Sequence, residues 1–117
     1  MPSNTEITTA QLSRLIGLPD SPVLIDVRND EDFRDNPRLL PGSYRRDSAT
    51  VSNWAHEFQN RTAIVSCQKC LKLSQGVAAW LRHEGINAQT LEGGFDAWRG
   101  GGQLLVNTDK LPARDEN

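Results

Sequence analysis

The stretch Thr62-Ala63-Ile64-Val65-Ser66-Cys67-Gln68-Lys69-Cys70-Leu71-Lys72-Leu73-Ser74 decides how the rest of this chain is read. Its opening run, Thr62 to Ser66, is built on the apolar stretch Ala63-Ile64-Val65 and reads as a strand. At Cys67 the chain turns polar. From Ser74 to Glu84 the spacing of Val77, Ala78 and Leu81 predicts a helix. Gly85 then reads as a left-handed cap, with Ile86 folding back on Leu81.

Working outward, the same grammar repeats. Pro22 leads into Val23-Leu24-Ile25 and then Asp26-Val27-Arg28, a second run suited to a central strand. Before it, Thr8 and Gln11 form a capping box that opens a short helix through Ala10, Leu12, Leu15 and Ile16. After it, Glu31, Asp32 and Phe33 fit one helical turn, Pro41-Gly42 marks a turn, and Ser43-Tyr44-Arg45 reads as an edge strand. Val51, Trp54, Ala55 and Phe58 recur at helical intervals and predict one helix from about residue 49 to 58. Toward the C-terminus, Gln89-Thr90-Leu91 is a weaker strand and Glu92-Gly93-Gly94 a turn. Phe95-Asp96-Ala97-Trp98 opens a last helix that ends at Gly100-Gly101-Gly102.

Strands alternating with helices imply an α/β domain with an open parallel sheet flanked by helices. At 117 residues and 13.0 kDa the chain has room for one core. Residues 1–102 form that domain. Residues 103–117 lack a period and read as a C-terminal tail or the start of a linker.

Composition excludes several function classes. A net charge of −2 supplies no strong field for nucleic acid or an anionic membrane surface. No apolar run is long enough to cross a bilayer and no signal-peptide pattern opens the chain, so a cytoplasmic location is expected. The two cysteines, Cys67 and Cys70, lie too close together for a bridge to stabilise the fold appreciably. His56 and His83 lack metal-ligand spacing, so no metal site is expected.

In an open parallel sheet the ligand crevice lies beyond the carboxyl ends of the strands. Three segments with unusual chemistry follow three apolar strands: Asp26 to Arg28, Cys67 to Lys72, and Glu92 to Gly94. They should converge on one edge. Backbone amides in a loop between strand and helix can aim inward as an anion-binding nest, and a helix N-terminus adds partial positive charge. With Lys69 and Lys72 nearby, that field favours a nucleophilic Cys67.

Here the chain resembles the rhodanese-like sulfurtransferases. The resemblance rests on Leu24-Ile25-Asp26-Val27-Arg28, Asp32-Phe33, Leu40-Pro41-Gly42-Ser43, the strand-Cys67-loop-helix unit and Leu91-Glu92-Gly93-Gly94-Phe95-Asp96-Ala97-Trp98. These occur in family order across roughly residues 6 to 100. It implies that Cys67 takes a sulfane sulfur from a small anionic donor such as thiosulfate, stores it as a persulfide, and passes it to a thiol or cyanide. No metal or organic cofactor is implied. Gln68, Lys69, Cys70, Leu71 and Lys72 form the loop that would bind the donor. Asp26 and Arg28 are expected to brace that loop, with Arg28 also a candidate for direct substrate contact, and Gly93 and Gly94 to give it a close-fitting turn.

The loop departs from the common single-domain pattern, in which four residues separate the cysteine from a basic residue and Ser or Thr follows at once. Here Lys72 is in the basic position, but Leu73 intervenes before Ser74. The related phosphatase and arsenate-reductase branch has Arg where this chain has Leu73. The guanidinium fork for a tetrahedral oxyanion is therefore missing, and phosphatase action is not expected. Ser74-Gln75-Gly76-Val77-Ala78-Ala79 and the charged stretch before Leu40 are similar to rhodanese-like domains associated with chromate-resistance proteins, a resemblance that implies a second domain beyond the tail in a longer natural chain. Two rival readings stay open: a catalytically silent module that binds a partner or senses an oxyanion, and a dithiol oxidoreductase using Cys67 and Cys70.

Overall fold

The buried strands of this chain face two cores at once. In the computed structural model, which describes residues 5–69 and 72–107, Val23, Ile25, Ala63 and Val65 point into one apolar cluster, and Leu24 and Ile64 into another. Successive side chains on a strand alternate faces, so an uninterrupted apolar run serves two layers.

In chain order the main sheet contains β1 (Glu6–Ile7), β2 (Val23–Asp26), β4 (Tyr44–Arg45), β5 (Thr62–Ser66) and β6 (Asn87–Leu91). Their spatial order is β1-β6-β5-β2-β4, and every pairing is parallel, with Val23 opposite Ala63 and Ala63 opposite Ala88. The strand that ends in Cys67 is thus the middle one of five. A separate ribbon pairs β3 (Arg38–Leu39) antiparallel with β7 (Val106–Asn107).

The helices are α1 (Thr9–Ser13), α2 (Asp30–Asp35), α3 (Val51–Trp54), α4 (Lys72–His83) and α5 (Gly94–Gly100). One face of the sheet is covered by Trp54, Ala55 and Phe58 and by Val77, Ala78 and Leu81 of α4. The other carries Leu12 of α1 and Phe95 and Trp98 of α5.

Several local readings hold in detail. Thr8 Oγ1 accepts from the Gln11 amide at 3.1 Å while Gln11 Oε1 accepts from the Thr8 amide at 2.9 Å, completing the capping box. At the end of α4, Gly85 has φ +86°, and the Ile86 and Gly85 amides donate to the Leu81 and Arg82 carbonyls. These are the two bonds of a Schellman cap, and Ile86 is buried beside Leu81.

Others need correcting. The stripe from residue 49 to 58 is not one helix: α3 is flanked by 3₁₀ turns at Ser48–Thr50 and Ala55–Phe58, which still put Trp54, Ala55 and Phe58 inward. The helix after Cys67 begins at Lys72, not Ser74, so Lys72 and Leu73 belong to its first turn. The strands β1 and β3 and the pairing of β7 escape the periodicity argument, because two-residue strands carry no period. None of the helices among the described residues is long and apolar enough to cross a membrane.

Candidate active site

Cys67 leaves the end of β5 and faces the same layer as Val65, between the sheet and α4. Its residue is 3% exposed, and its sulfur is 3.1 Å from the hydroxyl of Ser74, which is fully buried in the first turns of α4. A thiol packed among apolar side chains therefore has a polar partner that can accept from S–H or donate to S⁻.

The cysteine lies on the wall of an open cleft of about 480 Å³, shared with Asn29, Asp32, Gln68, Lys69, Lys72 and others. Both lysines are exposed at this mouth. Lys72 sits in the first turn of α4, where a cation opposes the helix dipole; it costs a little helix stability and adds to the positive field beside the sulfur. Cys70 and Leu71 lie outside the described residues, and with them the direction of their amides.

The loop is anchored from behind by the turn after β6. The amides of Phe95 and Asp96 donate to the carbonyls of Cys67 and Gln68, at 2.8 and 2.9 Å. Gln68 Nε2 donates to Asp96 Oδ1 at 2.6 Å. Two orphan donors at the start of α5 are thus satisfied by the cysteine loop. The turn that presents these amides is built on two glycines. Gly93 and Gly94 have φ of +77° and +62°, and a Cβ on Gly93 would lie 2.5 Å from the Ala97 Cβ.

Asp26 and Arg28 form a buried pair beside these elements. The Asp26 carboxylate accepts from the Arg28 amide at 2.9 Å and pairs with its guanidinium at 2.8 Å. The guanidinium also donates to the carbonyls of Asn36 and Arg38, and lies 3.8 Å from the centre of the Phe95 ring. Its side chain has no exposed surface, and its contacts tie the ends of β2 and α2 to α5.

The structure brings Cys67, Gln68, Lys69 and Lys72 together at one cleft, with Gly93 and Gly94 behind the loop and Asp26 and Arg28 beside it. Sequence reading missed Ser74 as the partner of the sulfur, along with Asp96, Asn29 and Asp32. The signal for Ser74 was present in the family loop pattern, which expects Ser or Thr beside the basic residue. No group of His, Cys, Asp and Glu side chains among the described residues could hold a metal ion.

The family model for the rhodanese-like domain matches residues 8–100. Among solved structures, a rhodanese-like domain protein from Staphylococcus aureus is 26% identical, with a TM-score of 0.71 over 80% of this chain and 90% of that one. A Rhodopseudomonas palustris protein described as a possible tyrosine phosphatase is 23% identical, with a TM-score of 0.76 over 86% and 83%. Thiosulfate sulfurtransferase from Pseudomonas aeruginosa is 19% identical with a TM-score of 0.77; the match covers 98% of this chain and 22% of that one. The last two show likeness of fold alone. No curated protein matches the chain.

Proposed function

This chain belongs to the rhodanese-like family, and we propose that it is a sulfurtransferase in which Cys67 carries the transferred sulfur. The observation that carries this reading is the position of Cys67: the end of the middle strand, at a cleft with two lysines, with the Ser74 hydroxyl 3.1 Å from its sulfur. The thiolate attacks the outer sulfur of a small anionic donor such as thiosulfate. The donor S–S bond breaks, sulfite leaves with the electron pair, and Cys67 keeps the sulfur as a persulfide. Lys69 and Lys72 attract the donor and offset the charge of the departing anion, and the Ser74 hydroxyl donates to the sulfur while it is ionised. A thiol or cyanide then takes the outer sulfur.

The test is intact-protein mass spectrometry after incubation with thiosulfate. The wild type gains one sulfur atom, Cys67→Ser gains none, and Cys70→Ser retains most of the gain. No adduct with several sulfane donors removes the enzymatic reading. The 3% exposure of Cys67 favours a second reading, a silent module that binds an oxyanion at the lysine mouth without covalent chemistry. Under that reading thiosulfate perturbs the Lys69 and Lys72 resonances while the mass stays unchanged.

A further inference from the structure

Helix α4 packs Val77, Ala78 and Leu81 on the sheet and leaves its outer face uncovered. On that face Lys72, Gly76, Trp80 and Glu84, all exposed, follow one another at four-residue intervals and so form a single ridge. Trp80 is 40% exposed, the one aromatic ring among the large exposed apolar side chains of the described residues, and Leu73 beside the ridge is 38% exposed. One turn from this open indole is an open space. Apart from its chain neighbours and its own helix backbone, nothing among the described residues lies within 4 Å of a Cβ placed on Gly76.

The ends of the ridge carry opposite charges, each on the unfavourable end of its own helix. Lys72 stands in the first turn, where the dipole is positive, and Glu84 closes the last turn, where it is negative; its amide donates to the Trp80 carbonyl. Neither side chain has an ion pair among the described residues. Arg82, the nearest guanidinium in sequence to Glu84, is turned to the Ala88 carbonyl.

We propose that this ridge is a self-complementary interface, on which a second copy of the chain packs antiparallel about a two-fold axis passing between Gly76 and Trp80. Lys72 and Glu84 lie symmetrically about that point, as do Gly76 and Trp80. The axis therefore sets each Lys72 against the partner's Glu84, and each indole into the space over the partner's Gly76. Such an isologous contact closes at two copies. Four-residue ridges lying side by side give the commonest class of helix crossing. The antiparallel arrangement also brings each misplaced charge to the favourable end of the other helix, whereas a parallel one would set Lys72 against Lys72. One helix face buries less than a standard interface, so the dimer is weak, with a Kd of about 100 µM. Lys72 also lines the cleft over Cys67, so dimerisation brings the partner's Glu84 to the rim of that cleft.

Sedimentation velocity tests this, with a reductant present to exclude cysteine cross-links and protein concentrations from about tenfold below to about tenfold above that Kd. The mass should rise from 13.0 kDa toward twice that value and no further. Trp80→Ala should weaken association roughly tenfold or more, as for a central aromatic anchor. Glu84→Lys should weaken it roughly fivefold, and adding Lys72→Glu to that variant should restore it, because the two ion pairs re-form with their signs exchanged. Thermal melts check that each variant folds. A wild type that stays monomeric throughout, species larger than two copies, undiminished association of Trp80→Ala, or a double variant no tighter than Glu84→Lys alone would each overturn the proposal.

Discussion

Ser74 Oγ lies 3.1 Å from Cys67 Sγ, seven residues away, across the loop that joins the middle strand to its helix. Both groups are buried, so each is the other's substitute for water. In the proposed cycle between thiolate and persulfide, a hydroxyl fixed beside the sulfur stabilises the ionised states without moving. Hydrogen bonds to charged groups contribute about 1.5–3 kcal/mol. Ser74→Ala should therefore slow sulfur transfer by roughly ten- to a hundredfold, read as kcat/KM with thiosulfate. An unchanged rate would assign Ser74 to packing alone.

The Asp26–Arg28 pair predicts a strong asymmetry. Asp26→Ala leaves a buried guanidinium without its counter-charge and should cost about 3–5 kcal/mol in denaturant unfolding. Removing both charges with apolar residues of similar volume should cost less than the two single substitutions combined. Additive losses would show that the charges act independently.

Gly93→Ala should be among the most damaging small substitutions. The φ of +77° disfavours any Cβ, and the added atom meets Ala97 at 2.5 Å. A loss of about 1–3 kcal/mol is expected, measurable by thermal or denaturant unfolding. Gly76→Ala is the control, because among the described residues nothing beyond its chain neighbours and its own helix backbone lies within 4 Å of its Cβ position, and its φ is not positive. In a helix interior it should be neutral or slightly stabilising.

Asp96 holds the loop through Gln68 Nε2 at 2.6 Å. Asp96→Ala should free that contact, raise hydrogen exchange at the Phe95 and Asp96-position amides, and speed alkylation of Cys67 by iodoacetamide. Persistent protection of those amides would show that the backbone bonds to Cys67 and Gln68 suffice.

Much of the fold was legible because its evidence is local. Two apolar runs marked β2 and β5, Thr8 and Gln11 marked a helix start, and Gly85 with Ile86 marked a helix end. The segment from residue 49 to 58 was legible only as an inward stripe, since 3₁₀ and α turns place Trp54 and Phe58 on much the same side. The pairing of Val106–Asn107 with Arg38–Leu39 was not legible at all, because it joins two dipeptides far apart in the chain.

By itself, then, the order of residues determined an α/β domain with a cysteine at the end of a buried strand, since periodicity, capping and the loop motif are written in adjacent positions. Tertiary structure alone decided that Arg28 is spent on Asp26 and two carbonyls, that Ser74 meets the sulfur, and that the Arg45 guanidinium stacks on Phe33. Those relations depend on which side chains folding brings within about 3 Å of one another and which donors it leaves unpaired, and no spacing along the chain encodes either.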